Sequence, residues 1–321
     1  MSDRDATVHQ DQVLERVGDV PLPGSGRTAD RWAQLSAVAR QDLCLVKLVE
    51  SHLDALAVLH DLGAGDLAGA GRVWAVWAAE PPGTALSAVR GPRGWQLSGS
   101  KPFCSGAQVV SDGLVTAPTD DGPGLFHVDL AEHRTHWASG SAAWVGAGMA
   151  RAGTATLDFD AIPATAVGGP GDYLERPGFW HGGMGIAACW FGGLLGVAGR
   201  LQAASRRRDP GPLGLAALGQ VAVHVDRCRA HLDVAAASVD ADPEDRSGTA
   251  RRVAESLRAD LADSAEDVLR LVGRASGPGP LAFDAEHTHR VDDLHMFVRQ
   301  HHGERDLAVL GGLVRDAAAE W

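Results

Sequence analysis

The stretch GWQLSGSKPFCSGA, Gly94–Ala107, places a lysine and an aromatic ring among glycine and serine residues. Its first half has the length of a β-strand, and its Gly and Ser residues favour turns. The chain contains only two lysines, Lys47 and Lys101, and all other basic residues are arginines. Taken alone, the stretch predicts an ordinary hairpin in which Phe103 is a core residue.

The composition indicates a globular protein with a sizeable core. The chain has 321 residues, of which 45% are hydrophobic, which is enough for two or three domains. A formal net charge of -12 opposes nonspecific nucleic-acid binding, because a polyanion is repelled at long range. The first residues are polar and acidic, unlike a signal peptide, and no apolar run reaches the length needed to cross a bilayer. We therefore expect a cytoplasmic protein with no nucleic-acid or membrane partner.

The cysteines and histidines give no metal-binding pattern. The four cysteines, Cys44, Cys104, Cys189 and Cys228, are far apart and form no CxxC pair. This spacing argues against a disulfide framework or a zinc knuckle. The histidines are dispersed along the chain, so no metal site is expected.

Hydrophobic periodicity divides the chain into three parts. Residues 1–70 form an N-terminal helical part, because apolar residues recur at helical spacing from Arg31 to Leu62. Its first thirty residues lack this pattern and are expected to be poorly ordered. In residues 71–167, short runs of strand length alternate with Gly and Pro, which predicts a middle β domain, a barrel or a sandwich.

Residues 168–321 again show helical periodicity. We predict helices over 179–207, 212–239 and 284–302, and a last helix that reaches Trp321. Another helix is predicted to open at Asp242-Pro243-Glu244-Asp245, which resembles an N-cap followed by proline in the first turn. The predicted fold class is α+β: a short helical part, a middle β-barrel domain and a C-terminal antiparallel helical bundle.

This α, β, α order, together with three motifs, resembles the acyl-CoA dehydrogenase superfamily of flavoproteins. The motifs are WAVWAAEPP at 74–82, GWQLSGSKPFCSGA at 94–107 and DGLVTA at 112–117. The resemblance covers roughly Leu35 to Leu310, and the Gly94–Ala107 loop is its most specific part. The N-terminal helical part is shorter than that of the family, so the resemblance is to a divergent member.

The resemblance implies FAD as the cofactor. In the family, the Glu-Pro turn and the Gly-x-Lys-x-aromatic-x-Ser/Thr loop hold the flavin, whose ring system is a flat apolar slab with a polar rim. Phe103 is then expected to be the aromatic wall, and Ser105 a hydrogen-bond donor beside the Gly106 backbone. Ala78 and Ala79 are expected to let the preceding strand approach closely.

A second group of flavin contacts comes from the partner subunit in the family. This group binds the pyrophosphate and the adenine. It corresponds here to two regions, one with Arg208 and Gln220 and the other with Arg274 and Gly277. An arginine stands at 274 where glutamine is common, which adds positive charge suited to a pyrophosphate. These assignments imply a homodimer or homotetramer, and the Gly-rich segment GGLLGVAG at 192–199 would permit close helix packing.

Two departures from the family concern the flavin loop and the catalytic base. The Gly-Ser-Asp that usually follows the Glu-Pro turn is missing after Glu80-Pro81, which weakens the expectation of tight FAD binding. The acid that many members carry near the chain end is replaced by His301 or His302 in FVRQHHGERD. A minority of the family uses a glutamate before the first long C-terminal helix, and Glu175 in YLERPGFWHGG matches that pattern.

These residues leave three functions open. We favour α,β-dehydrogenation of a CoA-bound or carrier-bound acyl thioester, with Glu175 as the base and an external electron acceptor. The alternative is a monooxygenase of the same fold that uses His301 or His302 as a neutral imidazole and needs a flavin reductase. The third is a non-catalytic member that serves as a binding or assembly partner. Helix-terminal roles are the ordinary interpretation of Glu175 and of the histidine pair.

Overall fold

The computed structural model describes residues 7–132, 137–139 and 144–317 of the chain. Its N-terminal part contains helices α1 (Gln10–Leu14), α2 (Thr28–Gln41) and α3 (Leu43–Asp61). The region predicted to hold one or two helices therefore holds two. The break falls at Asp42, whose backbone is extended and whose Oδ1 accepts a hydrogen bond from the Leu45 N–H at 3.0 Å. This is the N-cap geometry that starts a new helix.

Helix α1 lies in a segment for which the sequence showed no periodicity. Val8 and Val13 are nevertheless buried, and the Val8 N–H donates to the carbonyl of Arg151 at 3.1 Å. A helix of five residues is too short to show a 3.6-residue repeat, so Val13 within it and Val8 just before it give no visible pattern in the sequence.

In the middle of the chain, the residues that the structure describes form a seven-stranded sheet. The strands are β1 (Trp74–Trp77), β2 (Ser87–Gly91), β3 (Gly94–Cys104), β4 (Asp112–Thr119), β5 (Gly122–Asp129), β6 (Trp137–Ser139) and β7 (Ala155–Ala166). Their order is β1-β4-β5-β7-β3-β2, with β6 also paired to β7. All pairs are antiparallel except β1 with β4. The sequence predicted each of these strands apart from β6, which has three residues.

The core beside the sheet joins β1, β4 and β5 to α3. Trp74, Leu114 and Leu125 are buried against Val58 and Leu59 of the helix. Because these aliphatic and aromatic side chains are removed from water together, they stabilise the helix on the sheet.

His52 of α3 forms a polar contact at this interface. It is buried, and its Nδ1 accepts the N–H of Trp74 at 3.1 Å, so the imidazole must be neutral at that nitrogen. Burial lowers its pKa from 6.5 to about 4. A buried neutral histidine thus links α3 to the first strand.

We expect His52 to make stability depend on pH. Its pKa is depressed in the folded chain, so below about pH 6.5 the unfolded chain binds the proton more readily, and stability falls until about pH 4. The loss should reach about 3 kcal/mol over this window. His52→Asn keeps an acceptor but does not titrate, so urea unfolding between these pH values should show a flatter profile than the wild type. Parallel profiles for the two proteins would contradict the assignment.

Seven helices follow the sheet within residues 167–317. They are α4 (Asp172–Glu175), α5 (Gly178–Arg207), α6 (Gly211–Ala241), α7 (Ala250–Ser276), α8 (Gly279–Phe283), α9 (Ala285–Phe297) and α10 (Glu304–Arg315). The long helices α5 and α6 lie within two residues of their predicted bounds. The succession of helices, strands and helices confirms the predicted α+β class.

Helix α7 was predicted to begin at Asp242, but it begins at Ala250. The Asp242 carboxylate accepts the N–H groups of Arg246 and Ser247, both at 2.9 Å, and so closes a turn. Asp245 has a positive φ of 48°, which a right-handed helix does not accommodate. The Asp-Pro-Glu-Asp pattern resembles a helix start because N-caps and turns use the same residue types.

The helix that was predicted over 284–302 is also shorter than expected. It ends at Phe297, and a 3₁₀ turn over Val298–Gln300 follows it.

Helix α5 packs closely on its neighbours through glycine. A Cβ at Gly192 would lie 2.3 Å from the carbonyl oxygen of Ser36 in α2, and one at Gly193 would lie 2.9 Å from Leu43. These glycines are buried within the chain. They therefore no longer support contacts between chains, and the predicted oligomer rests on the other assignments.

Helix α5 is also long and apolar enough to cross a bilayer, contrary to the expectation that no apolar run has this length. An 18-residue window in it has a mean hydropathy of 1.4, and 78% of that window is buried inside the protein. Core helices of soluble proteins meet the same two criteria of length and composition, so the feature is weak support for a membrane span.

The chain forms two compact units. The β unit contains residues 1–19, 47–146 and 150–179, and the helical unit contains residues 20–46, 147–149 and 180–321. The main divisions between these units fall near residues 46 and 179, whereas the predicted domain boundaries are at residues 70 and 167. Most of α3 belongs to the β unit because its apolar face packs on β1 and β4.

Candidate active site

Lys101 is a structural residue of the β unit. Its side chain is completely buried, and Nζ donates to the carbonyl oxygen and to Oγ1 of Thr116, both at 2.8 Å. Glu80 lies 3.3 Å away and also accepts from the Thr116 hydroxyl at 2.6 Å. Burial lowers the pKa of the ammonium, and the Glu80 charge opposes this effect. The lysine of the Gly94–Ala107 loop thus fixes the turn that follows β1 to strand β4.

Phe103 is the exposed member of this loop. The pairing of β3 with β7 is irregular between Lys101 and Cys104, and Phe103 has a positive φ of 58° at this bulge. Lys101 and Cys104 are buried, whereas Phe103 is 56% exposed. A left-handed aromatic residue is strained by about 1 kcal/mol or more. The structure therefore contradicts a core role, and the ring presents an apolar surface to solvent.

Ser105 and Gly106 differ in what they can offer a ligand. The Ser105 hydroxyl lies 3.0 Å from the Thr154 hydroxyl, so one hydroxyl hydrogen of this pair remains available. The Gly106 N–H donates to the carbonyl of Ala152 at 2.8 Å. The Gly106 N–H is therefore already engaged within the chain and is not available to a ligand. Thr154 was not identified from the sequence, because only the fold brings it beside Ser105.

The alanines of the predicted flavin strand follow β1 directly. Ala78 is half-buried and Ala79 is exposed, and Glu80, held by Lys101, comes next. The Lys101 contact thereby limits the positions that the Ala78–Glu80 backbone can adopt.

Glu175 is the last residue of α4 and is exposed to solvent. Arg176 and Pro177 separate Glu175 from α5, so Glu175 does not lie in the first turn of the long helix. Arg176 is buried instead. Its guanidinium pairs with Asp61 at 2.7 Å and lies 5.4 Å from the centroid of the Tyr173 ring. The Leu-Glu-Arg segment is thus anchored by the arginine and leaves the glutamate in water.

His301 lies in the helical unit and is 8% exposed. Its backbone N–H donates to the Val298 carbonyl at 3.0 Å, which closes the 3₁₀ turn. In the described part of the chain, its buried Nε2 has no hydrogen-bond partner. Burial is the main cause that lowers its pKa, and the Arg258 charge acts in the same direction, although Asp306 opposes them. The imidazole is therefore neutral at pH 7.

Arg258 of α7 organises the segment that carries His301. It donates to the carbonyl of Gln300 at 2.9 Å and to that of Gly183 at 3.1 Å, and it lies 5.0 Å from the centroid of the Trp190 ring. Oε1 of Gln300 is a second buried atom that finds no partner among the described residues. A buried polar atom without a partner needs an explanation, and a catalytic role is one of those that apply.

His302 has a different environment. Its side chain is 60% exposed, and its N–H and Nδ1 contact the Asp306 carboxylate at 2.9 and 3.2 Å. It therefore fixes the start of α10, which is the helix-terminal role. The two adjacent histidines are not equivalent, and His301 is the candidate for proton transfer.

The residues predicted to bind the pyrophosphate and adenine are all in the helical unit. Arg208 follows α5, Gln220 lies on α6, and Arg274 and Gly277 are at the end of α7. Arg208, Gln220 and Arg274 are exposed, so their side chains are accessible. Gly277 has a positive φ of 67° and ends α7. Their roles toward a flavin stay predictions.

Comparison with known proteins identifies the fold. No protein-family model and no curated protein matches the sequence. KijD3, solved with FMN and dTDP-3-amino-2,3,6-trideoxy-4-keto-3-methyl-D-glucose, is similar with a TM-score of 0.78 at 20% identity over 97% of this chain and 88% of KijD3. Butyryl-CoA dehydrogenase from Megasphaera elsdenii is similar with a TM-score of 0.75 at 16% identity, over 89% of this chain and 82% of the dehydrogenase.

Dibenzothiophene monooxygenase TdsC from Paenibacillus sp. A11-2 gives a TM-score of 0.71 at 16% identity over 87% of this chain and 81% of TdsC. The chain thus has the acyl-CoA dehydrogenase fold, which confirms the resemblance found in the sequence. It is the fold of flavin-dependent enzymes that include both dehydrogenases and monooxygenases.

Proposed function

We propose that this chain is a flavin-dependent monooxygenase in which His301 transfers protons. The observation that carries the proposal is the buried Nε2 of His301, which has no partner in the described chain and belongs to a neutral imidazole. In such a reaction, reduced flavin supplies two electrons, one atom of O₂ enters the organic substrate and the other leaves as water. Neutral His301 would accept the proton that the substrate releases.

The β unit supports flavin binding. The exposed Phe103 ring offers a flat apolar contact, and the Ser105 and Thr154 hydroxyls offer a hydrogen bond to a polar rim. We propose FAD rather than FMN, because Arg208 and Arg274 suit the additional phosphate that FAD carries. The absent Gly-Ser-Asp after Pro81 agrees with a cofactor that exchanges, as a separate flavin reductase would require.

A dehydrogenase remains the second candidate function. The match of Leu174-Glu175-Arg176 to the minority base pattern favours it, and the Arg176 anchor would hold the segment still. Against it, Glu175 is exposed, whereas a base that removes a thioester α-proton acts best where water is excluded. A non-catalytic role predicts neither reaction.

We further propose a homodimer, since the resemblance assigns Arg208 and Arg274 to flavin contacts that a second subunit would supply. Helix α6 leaves Leu213, Val223 and Val234 between 66% and 88% exposed. Apolar residues exposed in this way suit an interface between subunits.

The proposed function is tested with FAD, a flavin reductase with NADH, and ¹⁸O₂. We expect FAD to bind and raise the melting temperature, and a panel of phenols, indoles and amines to yield a product that carries one ¹⁸O atom. Omitting the reductase should abolish this product. Anaerobic bleaching of bound FAD by an acyl-CoA, with no ¹⁸O product, would instead assign the dehydrogenase. FAD binding without either reaction would indicate the non-catalytic role.

A further inference from the structure

The helical unit contains a cavity of about 730 Å³. Residues of α2, α5, α6 and α9 line it. This volume lies within the range of small-molecule sites, which is about 300–1,000 Å³. Phe103, Ser105, Glu175 and His301 do not line it, so it is separate from the residues of the proposed function.

One wall of the cavity is apolar. Trp32 of α2, Phe191 and Leu195 of α5 and Leu232 of α6 contribute to it. Trp32, Phe191 and Leu232 are each less than 9% exposed, so the packing of the helices fixes them in place. Such a wall favours a ligand with an aromatic or aliphatic body.

The charged side chains of the lining are mostly positive. Arg40, Arg229 and Arg290 stand against a single carboxylate, Asp233. Three positive charges and one negative charge leave this lining positive by two, in a chain whose formal net charge is -12. An acidic protein that gathers arginines around a concave surface provides a local site for an anion.

The three arginines differ in whether a carboxylate within the chain already pairs with them. Arg229 pairs with Asp226 at 3.2 Å, and Arg290 pairs with Glu286. Arg40 is exposed and forms no ion pair within the described residues. The Arg229 guanidinium lies 6.0 Å from the centroid of the Phe191 ring, so the positive charge adjoins the apolar wall.

We propose that this cavity binds an amphipathic organic anion, a small molecule with an aromatic or aliphatic body and one carboxylate, phosphate or sulfonate group. The body would contact Trp32, Phe191 and Leu232. The anionic group would pair with Arg40 and Arg229, whose guanidinium groups donate charge-assisted hydrogen bonds to such oxygens.

Two fluorescent probes test the proposal on the full chain. 8-Anilinonaphthalene-1-sulfonate is an amphipathic anion, and N-phenyl-1-naphthylamine is the same body without the sulfonate. Both are titrated with and without saturating FAD, so that binding at a flavin site is recognised by competition. We expect the sulfonate to bind at one site that FAD does not displace. Displacement by FAD, or the absence of a saturable site, would overturn the proposal.

Two pairs of variants locate the probe and its charge. Ala37 is exposed and lines the cavity, so Ala37→Trp should fill it and abolish binding of both probes, whereas Gln34→Trp on an exposed, non-lining position of α2 should not. Arg40→Gln should weaken the sulfonate about tenfold and leave the neutral probe nearly unchanged. Arg246→Gln, an exposed arginine outside the lining, is the control. Unchanged sulfonate binding in Ala37→Trp, or equal weakening of both probes in Arg40→Gln, would refute the site.

Discussion

Replacing His301 with asparagine is expected to lower the rate of ¹⁸O product formation by about 10²-fold or more, as is typical when a general base is lost. Asparagine keeps a polar side chain at the buried position but cannot exchange a proton near neutral pH. FAD binding should persist, because no flavin contact is assigned to His301. The measurement is the initial rate with the reductase in excess, so that supply of reduced flavin does not limit it.

The pH profile distinguishes proton transfer by His301 from a structural role. Wild-type activity should fall as the pH drops through the lowered pKa of His301, because the imidazolium cannot accept the substrate proton. His301→Asn should lack this acid limb. His302→Asn removes only an exposed contact to Asp306. It should keep the wild-type rate of product formation and the acid limb of the pH profile. Equal losses in the two variants, or an unchanged acid limb in His301→Asn, would remove His301 from the mechanism.

The second large effect is on stability. Gly192→Ala is expected to lower the free energy of unfolding by about 3 kcal/mol, because the added methyl group forces two helices apart. Its Cβ would lie 2.3 Å from the Ser36 carbonyl oxygen and 2.5 Å from the Ala39 Cβ, and neither can turn aside as a flexible side chain would. Urea unfolding followed by circular dichroism measures the loss.

Gly199 on the same helix provides the matched control. The nearest atom to a Cβ there is Nη2 of Arg40 at 3.6 Å, which is ordinary contact with the end of a long side chain. Gly199→Ala should therefore stabilise the chain by up to about 1 kcal/mol, the usual gain when alanine replaces glycine in a helix. Destabilisation of similar size in both variants would mean that the loss does not come from the contact with α2, since helix propensity alone favours alanine at both positions.

The sequence was sufficient for most of the architecture. Gly and Pro bracket six of the strands, and the apolar periodicity of α5 and α6 gave their bounds to within two residues. The start of α7 could not be predicted, because the left-handed backbone of Asp245 is a property of the turn and not of the residue type. Strand β6 is too short to show alternation.

The candidate site was predicted only in part. The loop around Phe103 was identified, but its exposure depends on a bulge that the sequence does not encode locally. The sequence could not separate His301 from His302, because their difference comes from packing by Arg258 and from the Asp306 contact. Nor could it show that the Gly106 N–H is engaged by Ala152, a residue 46 positions further along the chain.

The burial of Lys101 also bears on how the protein reacts with chemical reagents. The chain has two lysines, and both belong to the β unit. The side chain of Lys101 is 0% exposed and that of Lys47 is 14% exposed and paired with Glu50. Reagents that acylate lysine amines therefore meet shielded targets in the folded chain. Since no lysine lies in the helical unit, acylation of these side chains reports the opening of the β unit alone.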